Sequence, residues 1–363
     1  MSGLIFLIWL RSADNSQQAS QCLSKCPGLL VVMDNTMNYR TFGRLGWKVS
    51  EVGYGMWGIA GGEGGWTGSA DEQGMQALQL SVDKGCNFFD TAWIYGRGHS
   101  ERMLGRLLRS NPDKKIVVAT KIPPKNREWP SKRGDRLNDI FPADHIRAFV
   151  DKSLNNLGVH AIDLMQFHVW EDDWAHDESW MRVIDDLKSQ KIIQGIGISV
   201  NRWEPDNVIE TLGTGLIDSV QVIYNIFDQA PADRLIPACK KYNVGVIARV
   251  PFDEGSLTGR LTKETVWPEG DWRNSYFVPE NLNATVDKVE ALKKDIPEGA
   301  PLAECALRFI LSNPDIHTVI PGMRAIRNLS QNLACSAKGP LDAKLLQRLA
   351  GHRWDRTPTE WSQ

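Results

Sequence analysis

Four side chains of the types used in acid–base catalysis follow short apolar runs of the sequence. Asp90 and Tyr95 belong to the stretch FFDTAWIYG. Lys121 ends VVATK, and His168 follows MQF. Taken singly, each has a simpler explanation, because aspartates cap turns, tyrosines pack in half-buried positions, lysines are solvated and single histidines are often structural. The recurrence of such a group after three successive apolar runs favours one shared site.

Together these residues can protonate an oxygen atom. A free tyrosine has a pKa of about 10 and is a weak acid at neutral pH, but a neighbouring ammonium group lowers that pKa. Asp90 can hold Lys121 charged and oriented, and His168 can hydrogen-bond a carbonyl oxygen. The set suits protonation of an oxygen while hydride reaches its carbon. Since no side chain donates hydride, the set implies a nicotinamide cofactor.

The apolar runs alternate with amphipathic segments from Asn38 onward. A hairpin, YRTFG-RLG-WKVS, comes first, with Gly43 and Gly46 in its turn. The strand-like runs are VGYGM, NFFDTA, IVVATK, IDLMQFHV, IQGIGIS, SVQVIYN, VGVIARV and TVIPGM. Helical stretches separate them, and IRNLSQNLAC and LDAKLLQRLAG follow the last run. The runs recur roughly every 30 residues, as repeated βα units do.

Eight such units predict an α/β protein with a (β/α)8 TIM barrel, an N-terminal hairpin and a C-terminal helical extension. The near-continuous apolar runs are typical of parallel strands covered by helices. A doubly wound open sheet would need GxGxxG after its first strand, and VGYGMWGIAGG lacks that spacing. Because active sites of such barrels lie at the carboxyl ends of the strands, the four polar residues are expected to meet there.

Residues 1–36 do not share this pattern. The run LIFLIWL is too short to span a bilayer and has no basic residue before it, unlike a signal peptide. Cys22 and Cys26 have no second pair at metal-ligand spacing, so no metal is predicted. We interpret residues 1–36 as an extension, either unstructured or an upstream mis-start, with a cleaved leader as the alternative. Residues 37–363 are then one cytoplasmic domain that starts at Met37.

Composition narrows the class of partner. The 42 basic and 44 acidic residues give a net charge of −2, so neither nucleic acid nor an anionic membrane is expected as a partner. Six cysteines are too few for a disulfide scaffold. Fourteen tryptophans exceed what a core of this size needs. The number of chains that assemble stays open.

The ordered blocks FFDTAWIYG, VVATK, QFHVW, GIGIS, QVIYN and VIPG resemble the aldo-keto reductase superfamily, over roughly residues 38–333. The resemblance implies a (β/α)8 barrel whose catalytic tetrad falls on Asp90, Tyr95, Lys121 and His168. It makes Tyr95 the general acid and base, and Lys121 the group that lowers its pKa. Asp90 is the partner of Lys121, and His168 orients the carbonyl group.

The resemblance also implies a nicotinamide cofactor extended over the barrel mouth. Ser199 and Gln221 would hold the nicotinamide amide, and Asn201 is displaced by one position because Val200 intervenes. Many relatives read like YSPLGRGFLTG where this chain reads RVPFDEGSLTG, so that Arg249 replaces the tyrosine that usually stacks on the nicotinamide ring. The residues predicted to contact the cofactor are Gly55, Met56, Trp57, Asp90, Ser199, Asn201, Gln221, Arg249, Pro251, Phe252, Gly255, Ser256, Leu257, Gly259, Gly322, Arg324, Asn328 and Asn332.

The adenine end matches PGMRAIRNLSQN. Arg324, with Arg327 as a second candidate, suits a 2′-phosphate because arginine binds phosphate bidentately. The alternative is a pair of exposed helix arginines. We therefore expect NADPH, with NADH as the other option.

Substrate contacts are predicted from the tryptophans. Trp57, Trp66, Trp93 and Trp170 fall on βα loops and suggest an aromatic-walled mouth for planar or apolar small-molecule carbonyl compounds. The alternative is that they only cap the barrel rim. The loop IPPKNREWPSKRGDRLNDIFPA is basic at its centre and is either a lid, an anion contact or a solvated face.

The sequence thus predicts an NADPH-dependent reductase of aldehydes or ketones that also works in reverse as an alcohol dehydrogenase. The alternative is a cofactor-binding redox sensor or regulatory subunit on the same barrel, akin to potassium-channel β subunits, which also keep a tetrad.

Overall fold

The barrel strands lie where the apolar runs predict them. A computed structural model describes residues 37–61 and 70–359; residues 1–36, with Cys22 and Cys26, lie outside this part. The hairpin consists of β1 (Tyr39–Phe42) and β2 (Trp47–Ser50). The barrel strands are β3 (Tyr54–Gly55), β4 (Phe88–Asp90), β5 (Val117–Ile122), β6 (Ile162–Phe167), β7 (Ile193–Ser199), β8 (Ser219–Ile223), β9 (Gly245–Arg249) and β10 (Thr318–Val319).

These eight strands pair in sequence order, each parallel to the next. Two isolated bridges, Val52 to Val319 and Gly55 to Gly322, join the first strand to the last and close the ring. A Cβ atom on Gly55 would lie 2.6 Å from the carbonyl oxygen of Ile320, so only glycine fits at this closure. The predicted (β/α)8 barrel is confirmed.

Helices surround this ring. Those of the described residues are α1 (Asp71–Asp83), α2 (His99–Ser110), α3 (Leu137–Ile140), α4 (Ala143–Leu157), α5 (Glu178–Ser189), α6 (Ile209–Gly213), α7 (Leu235–Tyr242), α8 (Arg273–Tyr276), α9 (Pro279–Lys293), α10 (Leu302–Leu311), α11 (Ile326–Ala337) and α12 (Ala343–Ala350). Gly158 ends α4 with a φ of 69°, a left-handed conformation that glycine adopts without strain. In the described ranges, no helix combines the length and the apolar composition needed to cross a membrane.

The sequence pattern did not indicate α9. Its buried face contains the apolar residues Leu282, Val286 and Val289, but also the polar residues Asn281 and Thr285. The Asn281 side chain donates to the backbone of the preceding turn and accepts from Thr285, which is why two polar groups can be buried there. Their presence interrupts the apolar period that the prediction requires.

The hairpin closes the amino-terminal end of the barrel. Phe42 has no exposed surface and lies 5.7 Å from Phe88 and 6.1 Å from Trp47, measured between ring centroids. It belongs to a buried cluster with residues from several strands, among them Leu164 and Ile247. This apolar layer fills the lower barrel.

Period-two alternation then determines what lies above that layer. In a strand, residues two apart share a face. Four polar side chains each lie two positions after a residue of the apolar layer: Asp90 after Phe88, Lys121 after Ala119, Gln166 after Leu164 and Arg249 after Ile247. The barrel interior therefore changes from apolar at the bottom to polar at the carboxyl ends of the strands.

Candidate active site

An ion pair between Asp90 and Lys121 lies at the centre of this polar layer. Lys121 Nζ is 2.5 Å from Asp90 Oδ1 and also donates to the carbonyl oxygen of Thr91 at 2.8 Å. The other carboxylate oxygen, Asp90 Oδ2, accepts hydrogen bonds from Gln221 at 2.7 Å and from Gln166 at 3.1 Å. Because both charges are buried, this complete set of bonds is what makes their burial tolerable.

Gln166 was not singled out from the sequence. It lies two residues before His168 on β6, and its side chain is fully buried. The alternation of residues along β6 could have identified Gln166, since a polar residue two positions before His168 faces the same side of the strand, which is the barrel interior.

Tyr95 lies beside the ammonium group of Lys121, which is 5.1 Å from the centroid of the phenol ring. Burial raises the pKa of Tyr95, and the charges of Lys121 and Arg249 oppose that rise without outweighing it. Lys121 thus acts in the expected direction, but desolvation is the larger effect. Tyr95 is accordingly a neutral phenol at neutral pH, which is the protonation state of an acid.

The imidazole of His168 also lies near the Tyr95 ring. The two rings are nearly perpendicular, with centroids 6.0 Å apart, and Trp129 stands 5.6 Å from the same imidazole. Burial lowers the pKa of His168 well below its usual value, and the charges of Lys121 and Arg249 lower it further. Its Nδ1 atom is buried and has no hydrogen-bond partner among the residues that the structure describes. His168 is therefore a neutral ring able to engage an uncharged carbonyl oxygen.

Tryptophans form part of the wall around Tyr95, but not all the predicted ones do. Trp57 lies 6.4 Å from the Tyr95 ring and 5.2 Å from Trp272. Trp272, in the segment after β9, and Trp129, beside His168, were not among the predicted substrate contacts. The Trp129 indole N–H is buried and has no hydrogen-bond partner within residues 37–61 and 70–359. No periodic signal marks the segments that carry these two tryptophans.

The other predicted tryptophans are placed differently. Trp170 is 1% exposed, packs 5.3 Å from Trp180, and donates its indole N–H to Thr211 at 2.9 Å. The structure thus places Trp170 in the core and not at the mouth. Trp93 packs against Phe149 at 4.7 Å. Trp66 lies in residues 62–69, outside the described part of the chain.

The basic loop after β5 is largely neutralised by neighbouring carboxylates. Arg133 pairs with Glu204 at 2.7 Å, and Lys132 pairs with Glu128, also at 2.7 Å. These side chains are mostly exposed, which fits the interpretation of a solvated face.

The residues predicted to hold the nicotinamide lie on adjacent strand ends. Ser199 on β7 and Gln221 on β8 are register partners, and both are buried. The amide nitrogen of Gln221 already binds Asp90 and Gln166, so its oxygen is the atom left for a ligand. Asn201 uses its Oδ1 atom within its own turn, where it accepts from the backbone of Trp203 at 3.0 Å.

The cofactor contacts predicted on the first barrel strand, β3, lie at the carboxyl end of that strand. The side chain of Met56 is fully buried, and its backbone N–H donates to the carbonyl oxygen of Asp90 at 2.9 Å. Gly55 is bridged to Gly322, which is exposed. A cofactor contact at Met56 would therefore have to use its backbone carbonyl oxygen, since the side chain is buried and the N–H is already bonded.

The segment after β9 has an unusual backbone. Val250, Asp253 and Glu254 adopt φ angles of 52°, 44° and 55°, and Gly255 and Gly259 adopt 105° and 73°. Left-handed conformations cost non-glycine residues free energy and concentrate at ligand sites. Several backbone N–H groups of this segment donate within it, among them those of Asp253 to Val250 and of Gly255 to Phe252, so these bonds fix the shape of the turn.

Carboxylates and arginines fix this segment. Asp253 accepts from Ser256 at 2.8 Å, from Arg202 at 3.0 Å and from Arg356 at 2.7 Å. Burial raises the pKa of Asp253, but the charges of Arg356 and Arg202 outweigh it and hold that pKa below its usual value. Asp228 binds the same two arginines. These ion pairs join the ends of three barrel strands to the carboxyl-terminal segment.

The predicted adenine end lies at the start of α11. No side chain caps this helix, since Ala325 precedes it. The first backbone N–H groups and the positive end of the helix dipole therefore favour an anion there. Arg324 and Asn328 are half-buried on either side of this helix start, whereas Arg327 is exposed and Asn332 is buried. The arrangement fits a phosphate group.

Comparison with known proteins agrees with this geometry. The model of the aldo/keto reductase family matches residues 51–353. The NADH-specific methylglyoxal reductase of Escherichia coli is 30% identical over 314 residues, covering 83% of this chain and 95% of that protein. D-threo-aldose 1-dehydrogenase of a Pseudomonas species is 27% identical over 311 residues, covering 80% of this chain and 90% of that protein.

A regulatory protein and a solved structure also match. A probable voltage-gated potassium channel subunit beta of rice is 26% identical over 325 residues, with 82% of this chain and 90% of that protein covered. The glycerol dehydrogenase structure from Gluconobacter oxydans has a TM-score of 0.69 at 25% identity, covering 90% of this chain and 98% of that one.

The family match extends over most of the barrel and includes all the strand ends described above. It makes the chain an oxidoreductase of the class that uses a nicotinamide cofactor and small-molecule carbonyl compounds. The chain belongs to the aldo/keto reductase family.

Proposed function

We propose that this protein is an NADPH-dependent reductase of aldehydes and ketones, able to run in reverse as an alcohol dehydrogenase, with Tyr95 as the general acid. The observation that supports this most directly is the contact of Lys121 with both Asp90 and Tyr95. Lys121 Nζ is 2.5 Å from the carboxylate and 5.1 Å from the phenol ring centroid.

A proton path follows from this arrangement. Tyr95 donates its hydroxyl proton to the carbonyl oxygen, and Lys121 stabilises the phenolate left behind. Asp90 orients Lys121, and its own carboxylate is held in place by Gln166 and Gln221. Neutral His168 hydrogen-bonds the same carbonyl oxygen and aims it at Tyr95. Trp57 beside Tyr95 and Trp129 beside His168 would shield the reacting atoms from part of the solvent.

A bound nicotinamide cofactor supplies the hydride in this scheme. Ser199 and the free oxygen of Gln221 would hold its carboxamide group. The segment of residues 251–257 would hold the pyrophosphate, and Arg324 with the start of α11 the 2′-phosphate. Trp57 is proposed to contact the substrate, because its ring lies beside that of Tyr95.

NADPH is proposed over NADH because an arginine precedes the uncapped start of α11. The relatives include proteins named for either cofactor: the Escherichia coli enzyme is NADH-specific, and a fission-yeast relative is named for NADP(+). We expect NADPH to quench tryptophan fluorescence at a concentration about tenfold below that needed for NADH. Arg324→Met should remove most of that difference, and exposed Arg327→Met should change it less. An equal response of the wild type to both cofactors contradicts the choice of NADPH.

The acid assignment is tested with Tyr95→Phe. Removing the hydroxyl should lower carbonyl reduction about 10²- to 10⁴-fold, the usual contribution of a general acid, while the NADPH dissociation constant stays within about twofold. Tyr54→Phe is the matched control, because the Tyr54 hydroxyl is buried without a hydrogen-bond partner and lies on β3. Turnover should be followed with NADPH across aldehydes, quinones, sugars and pyridoxal.

Retained turnover in Tyr95→Phe would disprove the acid role. A wild-type protein that binds NADPH but reduces none of these compounds would instead support a redox sensor or regulatory subunit. The rice channel subunit among the relatives is the reason for keeping that second candidate.

A further inference from the structure

Gln166 lies on β6 between the residues of the tetrad and those proposed to hold the nicotinamide. It is the register partner of Lys121 on β5 and of Gly197 on β7, and its side chain has no exposed surface. A Cβ atom on Gly197 would lie 3.1 Å from the Gln166 side chain and 2.2 Å from the Ser219 hydroxyl. Because β7 carries no side chain at this position, the Gln166 amide can reach across it to Gln221 on β8.

Two amides and one carboxylate form a closed set of three hydrogen bonds here. Asp90 Oδ2 accepts from Gln166 Nε2 at 3.1 Å and from Gln221 Nε2 at 2.7 Å. Gln166 Oε1 accepts from Gln221 Nε2 at 3.2 Å. Since an ionised carboxylate only accepts, it turns the NH2 groups of both amides toward itself. Gln166 then presents its oxygen to Gln221, so both acceptors of the Gln221 NH2 group lie within the protein.

This set determines where the oxygen of Gln221 points. A bond to Asp90 alone would leave the Gln221 amide free to turn about that one contact. The second bond, to Gln166, fixes the plane of the amide and therefore the direction of its Oε1 atom. An amide oxygen only accepts, so it needs a donor on the ligand, and the carboxamide of a nicotinamide offers an N–H group.

We propose that Gln166 is a positioning residue for the cofactor, which acts through Gln221 by fixing the oxygen that accepts from the nicotinamide carboxamide. This inference rests on the proposed reductase function, which requires a nicotinamide at these strand ends. Asp90 orients both amides and also holds Lys121, so the same carboxylate joins the cofactor site to the tetrad.

The first test compares NADP+ with its 3-acetylpyridine analogue, in which a methyl group replaces the NH2 group of the carboxamide. The analogue keeps the carbonyl oxygen but has no N–H group for Gln221. The measured quantity is the dissociation constant of the analogue divided by that of NADP+, both from quenching of tryptophan fluorescence. We expect a ratio of about five in the wild type, the effect of one hydrogen bond, and a ratio below about two in Gln166→Met.

Gln194→Met is the matched control. Gln194 is an exposed glutamine on β7 whose amide also donates to an aspartate, Asp163, at 2.8 Å. It contacts neither Asp90 nor Gln221 through a hydrogen bond, so this variant should keep the ratio of the wild type.

The second test uses Gln166→Glu, which keeps the shape of the side chain. Two carboxyl groups in contact share a proton at low pH and repel each other when both are ionised. With the shared proton, the introduced carboxyl group bonds to Asp90 and accepts from Gln221, as the amide does. We therefore expect the ratio in this variant to approach that of the wild type at pH 5 and to be lower at pH 9. It should stay low at both pH values in Gln166→Met.

The comparison between the two nucleotides removes other titrations from this result. Every variant keeps the remaining ionisable groups of the barrel mouth, and their charges act on both nucleotides alike: Asp90, Tyr95, Lys121, His168, Arg249 and Glu254. A pH step in the ratio that occurs only in Gln166→Glu therefore belongs to the introduced carboxyl group. A purely structural role of Gln166 would lower the affinity for both nucleotides together and leave the ratio unchanged.

The outcomes separate this inference from the proposed function. A ratio of about five in both the wild type and Gln166→Met would overturn the role of Gln166 and leave the reductase proposal intact. A ratio near one in the wild type would show that Gln221 does not accept from the carboxamide, and would also overturn it. If Gln166→Met does not fold, the pH dependence of Gln166→Glu decides. The reductase proposal fails separately, if the wild type binds NADPH and reduces no carbonyl compound.

Discussion

At the scale of single residues, burial decides protonation at the barrel mouth more than charged neighbours do. Tyr95 stays a neutral phenol although Lys121 and Arg249 lie nearby. His168 stays neutral because desolvation and both cations act in the same direction. An acid and a hydrogen-bonding imidazole are thus available together at neutral pH without a further proton donor.

Glu254 titrates near neutrality for the same reason. Burial raises its pKa from 4.5 to about 7, against the opposing charge of Arg202. Because this pKa is higher in the folded chain, the folded chain binds the proton more tightly than the unfolded chain. Protonation of Glu254 therefore stabilises the folded chain relative to the unfolded chain. This contribution is complete below pH 4.5 and is lost as the pH rises through about 7. Ionised Glu254 would also repel a pyrophosphate bound by its own segment.

We therefore expect NADPH binding to weaken with rising pH. Between pH 6 and pH 8 the dissociation constant should increase by roughly threefold to tenfold relative to that of Glu254→Gln, which cannot ionise. The comparison between variants cancels the titration of the 2′-phosphate itself. Glu264→Gln, at an exposed position further along the chain, is the control and should follow the wild type. Parallel pH profiles for Glu254→Gln and the wild type would exclude this role of Glu254.

At the scale of elements, the carboxyl-terminal segment is attached to the loops at the barrel mouth. Arg356 is 6% exposed and binds Asp228 at 2.8 Å and Asp253 at 2.7 Å. The neighbouring Trp354 donates its backbone N–H to Phe227 at 2.9 Å. The segment thus stabilises the loops after β8 and β9, including the turn proposed to hold the pyrophosphate.

Arg356→Ala should lower the free energy of unfolding by about 2 kcal/mol, because charged hydrogen bonds to buried Asp253 and half-buried Asp228 are lost while Arg202 still binds both. NADPH should also dissociate faster, since the turn at Asp253 loses a constraint. Urea denaturation and stopped-flow fluorescence measure the two effects. Arg353→Ala is the matched control in the same segment, and its exposed pairs with Asp233 and Asp355 should contribute less than about 1 kcal/mol. An equal loss of unfolding free energy in the two variants would show that the burial of Arg356 does not strengthen its ion pairs.

The sequence predicts the barrel strands because the local pattern of apolar residues matches the burial of each strand in the fold. Each barrel strand is an apolar run, and alternation within it predicts which residue faces the interior, as for Lys121 on β5. Trp170 was misplaced because a βα loop has no period to orient its side chains. The ion pairs of Arg356 join residues 103 and 128 positions apart, and no local pattern can indicate them.

At the scale of the whole molecule, the two ends of the barrel have separate tasks. The hairpin and the apolar layer fill the amino-terminal end, and Phe42 is the aromatic ring at their centre. The polar layer from Asp90 to Arg249 lies at the other end. Packing at the amino-terminal end therefore serves stability, whereas the chemistry depends on the carboxyl-terminal end.

This separation makes a prediction about Phe42→Ala. Removing this fully buried ring should lower the free energy of unfolding by about 3–5 kcal/mol, because the substitution leaves a cavity beside Phe88 and Trp47. Below the onset of unfolding, kcat/KM for carbonyl reduction should stay within about twofold of the wild type, since Asp90 and Lys121 keep their contacts in the layer above. Thr41→Ala, at an exposed position of the same hairpin, is the control and should cost less than about 0.5 kcal/mol. A large fall in kcat/KM while the Phe42→Ala chain is still folded would mean that packing at the bottom of the barrel positions the tetrad, and the two ends would not be independent.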